Sequence, residues 1–505
     1  MSEIHQAAVH QAVVRPVRRI GVRELVPLLG AWREGRPGLP GYQALAERLR
    51  LLVLDGRLPV HAVLPSERAL ADAAGTSRTT TTAAYRLLRE SGFAVAGHGA
   101  GTWTALPGAG RASEEAGPWP VQTSGLAGTP DGRGDLASAA PEAPPQLHAA
   151  YAEALADLPA YLPGHGYVTA GVPGLRARIA ARYTTLGLPT APEEVLVTAG
   201  AVHGLRLVLD ALGTRGQRVL VENPTYPLAL DGIRRAGGRP VALPVEDGWD
   251  VAAAASALRT TRARLAYLMP DVQNPTGRVL GDGDRGVLAR VLADAGCTVI
   301  VDETTADLDL RPGAVRPTPF GAFAPRGTVV AIGSASKTFW GGLRVGWVRA
   351  DRELVRRLVL ARASDDLGSP LLEQLATGHL LDRVDEVVAD RRRVLAARRR
   401  ALQTALAVHL PSWAAPTPEG GMVLWCRLPS PSSTAVAAVA RSLGVTLSPG
   451  PRFSVDGGFE SRLRIPFARP EDHLRSAVGL LGEAWRAVDG APRPGREVDA
   501  APVVV

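Results

Sequence analysis

Lysine is almost absent from this chain of 505 residues. Of the 57 lysine and arginine residues, only Lys337 is a lysine. Arginine therefore supplies positive charge everywhere else, but its guanidinium stays protonated and cannot act as an amine nucleophile. A single lysine among so many arginines suggests amine chemistry at Lys337, such as imine formation. The count alone also allows one surface lysine kept by chance.

Cysteine and long apolar stretches are also scarce. Cys297 and Cys426 lie far apart in apolar surroundings, which predicts two buried free thiols rather than a disulfide or a metal site. No apolar run is long enough to span a bilayer. Residues 1–20 lack the apolar core of a signal peptide. A cytoplasmic location is therefore expected.

Basic residues outnumber acidic ones, most clearly near the N-terminus. The formal net charge is +8, and residues 1–105 hold 13 arginines against 8 acidic residues. An excess of positive charge favours a polyanionic partner such as DNA, because basic side chains neutralise phosphates. The balance alone is a weak indication.

Residues 21–106 are predicted to form a first compact unit. Apolar residues recur at helical spacing between 41 and 55, and Ser66 and Ser77 are expected N-caps of two short helices. Residues 93–105 alternate around glycines as in a β-hairpin. This succession is typical of a winged helix-turn-helix. The proline- and glycine-rich stretch 107–145 is interpreted as a flexible linker.

Residues 146–486 predict an α/β domain with a mostly parallel sheet, because short apolar strands alternate with helices. The helix-rich part from about 351 to 486 predicts a smaller C-terminal subdomain, and 487–505 predicts a disordered tail. Ligands bind at the carboxyl ends of parallel strands, so the residues after each strand are site candidates. The strand candidates are 195–198, 218–222, 265–269, 298–302, 329–333, 345–348 and 463–466.

Small, polar and aromatic residues follow these strands. Small residues at a helix start let backbone N–H groups approach a phosphate. A lysine amine can react with an aldehyde, and a carboxylate can keep a pyridine nitrogen protonated. These residue types together suit pyridoxal 5′-phosphate (PLP). In chain order they are Gly200, Ala201, Tyr226, Asn274, Asp302, Ser334, Ser336, Lys337 and Arg344.

The same motifs resemble the fold-type I PLP enzymes of aminotransferase class I/II. The resemblance rests on Asn-Pro-Thr-Gly at 274–277, Asp302, and Ser-x-Ser-Lys followed seven residues later by Arg344. It implies that Lys337 is the catalytic Schiff-base lysine and that Asp302 contacts the pyridine nitrogen. It also implies that Asn274 contacts the ring hydroxyl, that Tyr226 contacts the ring face, and that Gly200, Ala201, Ser334, Ser336 and Arg344 contact the phosphate.

Two further roles follow from the same resemblance. Tyr167 matches a tyrosine that reaches the phosphate of the other subunit, which implies a head-to-tail homodimer. Arg464 matches an arginine that binds a substrate or effector α-carboxylate. Tyr226 as a plain core aromatic and Arg464 as a structural ion-pair partner remain alternatives.

One feature departs from the family. Its members usually carry a tyrosine two or three residues after the aspartate, where this chain has Thr304 and Thr305. A threonine hydroxyl is shorter and far less acidic than a phenol. Efficient transamination is therefore less expected here than cofactor binding.

The N-terminal unit resembles the GntR-type winged helix between residues 41 and 105. Leu-Pro-Ser-x-Arg at 64–68, Ser-Arg-x-Thr at 77–80 and the glycine-rich wing at 97–102 carry the resemblance. It implies that the second helix enters the major groove and that the wing meets the minor groove. The DNA-contacting residues it implies are Ser66, Arg68, Ser77, Arg78, Thr79, Thr80 and Gly99.

A GntR-type winged helix joined to a fold-type I domain resembles the MocR subfamily of bacterial regulators. The favoured hypothesis is a transcriptional regulator that senses an amino compound or PLP through Schiff-base chemistry at Lys337. The alternatives are a working aminotransferase that carries a DNA-binding module, and an interaction protein with a vestigial PLP site.

Overall fold

The computed structural model describes residues 18–30, 32, 39–54, 58, 62–97, 101–105 and 134–489. These residues fall mainly into two compact units, one ending at residue 105 and one running from 134 to 485. Gly99, residues 106–133 and residues 490–505 lie outside the described residues.

The first unit is a small helical domain with one sheet. Its strands have the order β1-β2-β4-β3, and β3 and β4 form an antiparallel hairpin. Leu49, Leu70 and Tyr85 from three different helices meet in its core. The winged helix-turn-helix prediction is confirmed. The elements are β1 (Arg18–Arg19), α1 (Val22–Leu29), α2 (Gly41–Leu54), β2 (Ala62–Val63), α3 (Glu67–Ala73), α4 (Arg78–Glu90), β3 (Ala94–Gly97) and β4 (Gly101–Thr104).

The second unit contains a large and a small sheet with helices around them. Its strands are β5 (Asp135–Leu136), β6 (Val195–Thr198), β7 (Arg218–Asn223), β8 (Arg239–Pro244), β9 (Leu265–Leu268), β10 (Thr298–Asp302), β11 (Val329–Ser334), β12 (Gly346–Arg349), β13 (Val423–Arg427), β14 (Thr446–Pro449) and β15 (Arg462–Pro466). Its helices are α5 (Gln146–Asp157), α6 (Pro173–Thr185), α7 (Ala201–Ala211), α8 (Pro227–Arg235), α9 (Val251–Thr261), α10 (Asp282–Asp294), α11 (Ala335–Thr338), α12 (Arg352–Arg362), α13 (Leu371–Leu381), α14 (Val384–His409), α15 (Ser433–Ser442) and α16 (Glu471–Asp489).

The large sheet has the strand order β6-β12-β11-β10-β9-β7-β8. Strand β12 runs antiparallel to both neighbours, and the other pairs are parallel. Both faces are covered: Ile300 packs into the core on one face, while Val299 and Val301 pack on the other. Burial on both faces explains why these strands are continuous apolar runs. The predicted mostly parallel α/β architecture is confirmed.

The seven strands predicted for the second unit all exist, and four others, β5, β8, β13 and β14, were not predicted. Strand β8 is an edge strand with two prolines, which weaken a strand signal because proline cannot donate to a ladder. Strands β13 and β14 lie in the helix-rich C-terminal part, where the pattern indicated helices.

The small sheet changes two predicted boundaries. It has the order β13-β15-β14-β5, and β5 pairs in parallel with β14. Residues 134–136 therefore belong to the folded unit rather than to the predicted linker 107–145. The small subdomain also differs from the predicted range 351–486, because Leu354 and Leu358 of α12 pack in the core of the large sheet.

Three further properties concern chemistry rather than topology. Cys297 and Cys426 are buried free thiols, as predicted, and burial raises the pKa of each to about 12. Among the helices that the structure describes, none is long and apolar enough to cross a membrane. Within the described ranges, no group of histidine, cysteine and acidic side chains is arranged to hold a metal ion.

Candidate functional site

The candidate cofactor residues gather at one edge of the large sheet. Parallel strands end at the same edge, so the residues that follow them meet there. Asp302 ends β10, and Lys337 lies in the short helix after the neighbouring strand β11. Asn274 follows β9 and Tyr226 follows β7. The strand order therefore brings together residues separated by more than a hundred positions in the chain.

Asp302 is a buried carboxylate with both oxygens occupied by donors. Tyr267, from the adjacent strand β9, donates its hydroxyl to Oδ2 at 2.6 Å. The backbone N–H of Thr304 donates to Oδ1 at 2.9 Å. Burial raises the pKa of the Asp302 carboxyl above its ordinary value, and these two hydrogen bonds oppose that rise. The pair of donors fixes the orientation of the carboxylate.

Lys337 has an amine suited to nucleophilic attack. Its Nζ donates to the backbone carbonyl of Ala139 at 2.7 Å. Withdrawal from water lowers its pKa to about 8, and the nearby positive charges of Arg464 and Arg344 act in the same direction. The charge of Asp302 opposes the change. Lys337 thus carries a much larger neutral fraction at neutral pH than an ordinary lysine.

Arg464 reaches the site from β15 of the small sheet. Its side chain is buried, its Nη1 lies 3.5 Å from Asn274 Oδ1, and its guanidinium carbon lies 4.9 Å from the centre of the Phe453 ring. Burial lowers its pKa to about 10. Its Nε has no hydrogen-bond partner among the described residues. An arginine with a buried donor left over can bind an additional acceptor, such as a carboxylate.

A backbone segment at 137–139 was not predicted as part of the site. Arg464 Nη2 donates to the carbonyl of Ala137 at 2.5 Å, and Lys337 donates to the carbonyl of Ala139. The segment directly follows β5, and Asp135 of β5 forms an ion pair with Arg469 at 2.7 Å. These carbonyls have no side-chain signature in the sequence, and the alanine-rich composition indicated a linker.

The start of α7 forms a tight backbone cradle with Arg344. Gly200 has a φ of +92°, and a Cβ at this position would lie 2.8 Å from Arg344 Nη2. Only glycine therefore allows the guanidinium to lie against this turn. Arg344 Nη2 also donates to the carbonyl of Ala199 at 3.0 Å. A guanidinium beside a helix N-terminus is suited to bind a phosphate.

The other residues predicted to contact the phosphate differ in the hydrogen-bond donors that they supply. Ala201 is the first residue of α7 and has only its backbone N–H to donate. Ser334 accepts a hydrogen bond from the backbone N–H of Ser336 at 3.1 Å, and its hydroxyl proton stays available. His203 Nδ1 accepts from the backbone N–H of Ala199 at 3.1 Å, so it supports the turn.

Tyr226 and Asn274 lie on neighbouring loops that one glutamine holds together. Gln273 is buried and donates to the carbonyl of Pro224 at 2.7 Å, which joins the two loops. Burial raises the pKa of Tyr226 to about 12, and the Asp302 charge adds to the rise. Tyr226 therefore stays protonated near Asp302.

Tyr167 is not brought to the site within one chain. Its side chain is 64% exposed, and its ring contacts the ring of His165 at 5.4 Å between centres. The Tyr167 ring therefore lies at the surface of the chain.

The threonines that replace the family tyrosine have different partners. Thr305 Oγ1 donates to the carbonyl of Val272 at 2.8 Å, and Thr304 is hydrogen-bonded to Asp302 through both its backbone N–H and its side chain. The phenol at this site is instead Tyr267, which sequence reasoning missed. A tyrosine in the middle of a fully buried strand requires a hydrogen-bond partner, and that signal could have identified it.

The candidate DNA-binding residues of the first unit lie at the starts of α3 and α4. Ser66 Oγ accepts from the backbone N–H of Ala69 at 3.2 Å, and Ser77 Oγ accepts from that of Thr80 at 3.0 Å. Both serines are therefore the predicted N-caps. Ser77 also contacts the hydroxyls of Thr79 and Thr80 at 2.8 and 2.7 Å.

The exposed face of this unit is polar and basic. Arg68 and Arg78 are exposed, and no ion pair with either is seen in the part of the chain that the structure describes. Thr82 donates to Glu67 at 2.6 Å, and Tyr85 donates to the carbonyl of Pro65 at 2.9 Å. These two contacts hold α3 against α4. Arg78 thus projects from the first turn of α4, and these contacts with α3 hold α4 in place.

Comparisons with known proteins identify both units. The family "Aminotransferase class I and II" matches residues 142–481, and the family "Bacterial regulatory proteins, gntR family" matches residues 41–103. The chain belongs to the aminotransferase class I and II family. Its gntR-family segment and its aminotransferase-like domain form the layout of the MocR regulators.

Individual relatives agree with this layout. HTH-type transcriptional regulator YdfD of Bacillus subtilis is 26% identical over 474 residues, which cover 88% of this chain and 96% of YdfD. The probable rhizopine catabolism regulatory protein MocR of Rhizobium meliloti is 29% identical and covers 61% of this chain and 65% of MocR. The similarity to YdfD extends over both units.

A solved structure resembles the second unit. It is LysN, the α-aminoadipate aminotransferase of Thermus thermophilus, crystallised with N-(5′-phosphopyridoxyl)-L-leucine. The TM-score is 0.63 at 30% identity, over 70% of this chain and 92% of LysN. Membership in this family indicates PLP as the cofactor. The Lys337 amine, the fixed Asp302 carboxylate and the Gly200–Arg344 cradle fit it in chemistry.

Proposed function

We propose that the protein is a DNA-binding transcriptional regulator of the MocR type, located in the cytoplasm, that responds to an amino compound through its PLP site. The observation that carries this proposal is the presence of two complete modules in one chain. The first has a braced helix with an exposed basic first turn, and the second has a buried lysine, aspartate and arginine at one sheet edge.

We assign the cofactor contacts as follows. When bound, PLP supplies an aldehyde that condenses with a primary amine and a ring that withdraws electrons. Lys337 provides the amine, and Asp302 faces the ring nitrogen. Gly200, Ala201, Ser334, Ser336 and Arg344 hold the phosphate, Asn274 contacts the ring hydroxyl, and Tyr226 contacts the ring face. Arg464 binds the carboxylate of the effector.

Segment 137–139 offers a physical route from the site to the rest of the chain. An effector carboxylate competes with the Ala137 carbonyl for Arg464, because both are acceptors for the same guanidinium. The segment directly follows β5, which is the first strand of the second unit along the chain. A shift of this segment would therefore change the constraint on the start of the second unit.

A head-to-tail homodimer is part of the proposal. The support is Tyr167, a large side chain that is 64% exposed and contacts no candidate site residue of its own chain. In a dimer it would donate to the phosphate in the other subunit. Two winged helices in one dimer would also bind two half-sites of an operator.

Aminotransferase activity is the second candidate function. It is favoured by the lowered pKa of Lys337, because a neutral amine can act as a general base in proton transfer. The missing family tyrosine at 304 and 305 disfavours it.

One experiment separates the two functions. Amino acids and amines are titrated into the PLP-loaded protein with and without a keto acid acceptor, while the visible absorbance is recorded. A regulator gives a stable spectral change with one effector and no keto product. An aminotransferase gives repeated conversion to the pyridoxamine form and sustained keto acid production.

The rate at which PLP attaches to the cofactor-free protein is expected to rise with pH and level off above about 8. Only the neutral amine attacks an aldehyde, and the pKa of Lys337 is lowered to about 8. Stopped-flow absorbance over a pH series measures this rate. A lysine amide whose α-amine is acetylated is the control, since its remaining ε-amine gives a rate that keeps rising toward a pKa of about 10.4. A protein rate that follows the control would contradict the lowered pKa.

Arg464→Ala is expected to weaken binding of a carboxylate-bearing effector by about 2–5 kcal/mol, which is at least about thirtyfold. The variant removes the buried guanidinium whose Nε is available for an acceptor. Spectrophotometric titration of the PLP-loaded protein measures the effect. The decarboxylated amine of the same effector is the control and should bind equally well to both proteins. Equal weakening of both ligands would show that Arg464 is only structural.

A further inference from the structure

Tyr267 is joined to the site through a single short hydrogen bond. Its hydroxyl donates to Asp302 Oδ2 at 2.6 Å from the middle of the neighbouring strand β9. Both side chains are buried, and Tyr267 itself is fully buried within the core of the large sheet. Water therefore cannot replace either partner, and each depends on the other for its hydrogen bond.

The other hydrogen bonds of Asp302 show which group the Tyr267–Asp302 hydrogen bond affects. The backbone N–H of Thr304 donates to Oδ1, Tyr267 donates to Oδ2, and the Thr304 side chain is also hydrogen-bonded to the carboxylate. A carboxylate has about four acceptor positions, so one remains for a further donor. The donor expected there is the protonated ring nitrogen of PLP. Tyr267 therefore acts on the carboxylate that would hold the ring proton.

We propose that Tyr267 is a positioning residue that stabilises Asp302 as an anion and thereby keeps the PLP ring nitrogen protonated. A hydrogen bond to the charged form of a carboxylate favours that form, whereas burial disfavours it. Without the phenol, the buried anion has one donor fewer, and the shared proton moves from the ring nitrogen toward Asp302. The inference rests on PLP occupying the site, and it does not depend on DNA binding.

Titratable groups on three neighbouring elements face the Tyr267–Asp302 pair. Glu222 on β7 and Tyr226 at the start of α8 face Tyr267, and Lys337 on α11 faces Asp302. Glu222 accepts from Trp249, Gln273 and the backbone of Met269, so its own contacts are separate from the Tyr267 hydroxyl. Among the described residues, Tyr267 is the side chain from the adjacent strand whose hydroxyl contacts the aspartate.

The test is ¹⁵N NMR of the full-length protein loaded with PLP labelled at the ring nitrogen, because this signal reports protonation directly. Tyr267→Phe is expected to move the signal at fixed pH toward the position of an unprotonated pyridine. The matched control is Tyr183→Phe, which removes another buried phenol that donates to Glu303 at 2.8 Å. The control should leave the ring signal at the wild-type position.

A second measurement uses the cofactor-free protein and adds a variant that keeps the phenol, so that the test does not depend on the folding of Tyr267→Phe alone. Site-specific 3-fluorotyrosine at position 267 keeps the shape of the ring and makes the phenol a stronger donor. The pKa of the ¹³C-labelled Asp302 carboxyl should then fall below its wild-type value. In Tyr267→Phe the pKa of the Asp302 carboxyl should rise by about one to two units, because the carboxylate loses one hydrogen bond to its charged form.

The outcomes separate this inference from the proposed function. An unchanged ring ¹⁵N signal in PLP-loaded Tyr267→Phe, or an unchanged Asp302 pKa in both variants, would overturn the role of Tyr267. A protein that takes up no PLP would overturn the proposed cofactor site, while the Asp302 pKa would still test the hydrogen bond. Experiments on effector binding and on DNA binding test the proposed regulator function, and their outcomes are independent of these two measurements.

Discussion

Borohydride reduction of the PLP-loaded protein is expected to leave a phosphopyridoxyl group on Lys337 and on no other side chain. Lys337 is the only lysine in the chain, so the N-terminal amine is the only competing primary amine. The two amines have similar neutral fractions at neutral pH, because both pKa values are about 8, so the position of Lys337 beside Asp302 and Arg344 is what favours it. Peptide mass spectrometry after reduction measures the position of the label.

Substitution of this lysine is expected to abolish both the label and the response to the effector. Lys337→Arg keeps a positive charge that can donate to the Ala139 carbonyl, but it cannot form an imine. Lys337→Ala removes the charge as well. If sensing requires the amine, the two variants lose the effector response equally, whereas DNA binding without effector is retained.

The pair of variants also separates chemistry from packing. A response that survives in Lys337→Arg and is lost in Lys337→Ala would mean that charge at this position matters and that imine formation does not. A response that survives in both would contradict sensing through Lys337 altogether. Thermal unfolding of each variant controls for loss of the fold.

Much of the cofactor site could be predicted because it depends on strand ends. Asp302 and Lys337 each follow an apolar run that is buried on both faces, and such runs are visible in the sequence. Adjacent parallel strands then place their carboxyl ends side by side. The same reasoning placed Asn274 and Tyr226 on the same edge of the sheet.

The parts that could not be predicted depend on contacts that carry no local signal. Every residue type has a backbone carbonyl, so the sequence does not distinguish those of Ala137 and Ala139. Their role appears only when β5 pairs with β14, about 310 positions away. Tyr267 resembles any aromatic in a buried strand until the register of β9 and β10 places its hydroxyl against Asp302. Pairing between distant strands, rather than composition, decides both.

These contacts explain what changes in the site when Thr304 and Thr305 stand where the family has a tyrosine. The family phenol at this position would face the ring hydroxyl, whereas the phenol of this site faces the aspartate. In the proposed site, a phenol therefore acts on the ring nitrogen through Asp302, and positions 304 and 305 supply no phenol to the ring hydroxyl. The proposed sensor would accordingly bind PLP and an amine without efficient turnover.

In the winged helix, Arg78→Ala is expected to weaken specific DNA binding by about 1–3 kcal/mol. Arg78 starts α4, is exposed, and projects from a turn whose backbone is fixed by the Ser77 cap. Duplexes are first selected from a random pool by binding to the wild-type protein. Fluorescence anisotropy with one enriched duplex and one unselected duplex, over a salt series, then measures the loss.

The matched control lies on the same helix. Arg86 is also exposed, but it faces Glu90 at 3.7 Å one turn further on, so Arg86→Ala should change DNA binding little. A loss confined to the enriched duplex would indicate that Arg78 contacts a base, because base contacts specify sequence. A uniform loss with a salt slope reduced by about 1 would indicate a phosphate contact. Equal behaviour of the two variants would contradict α4 as the recognition helix.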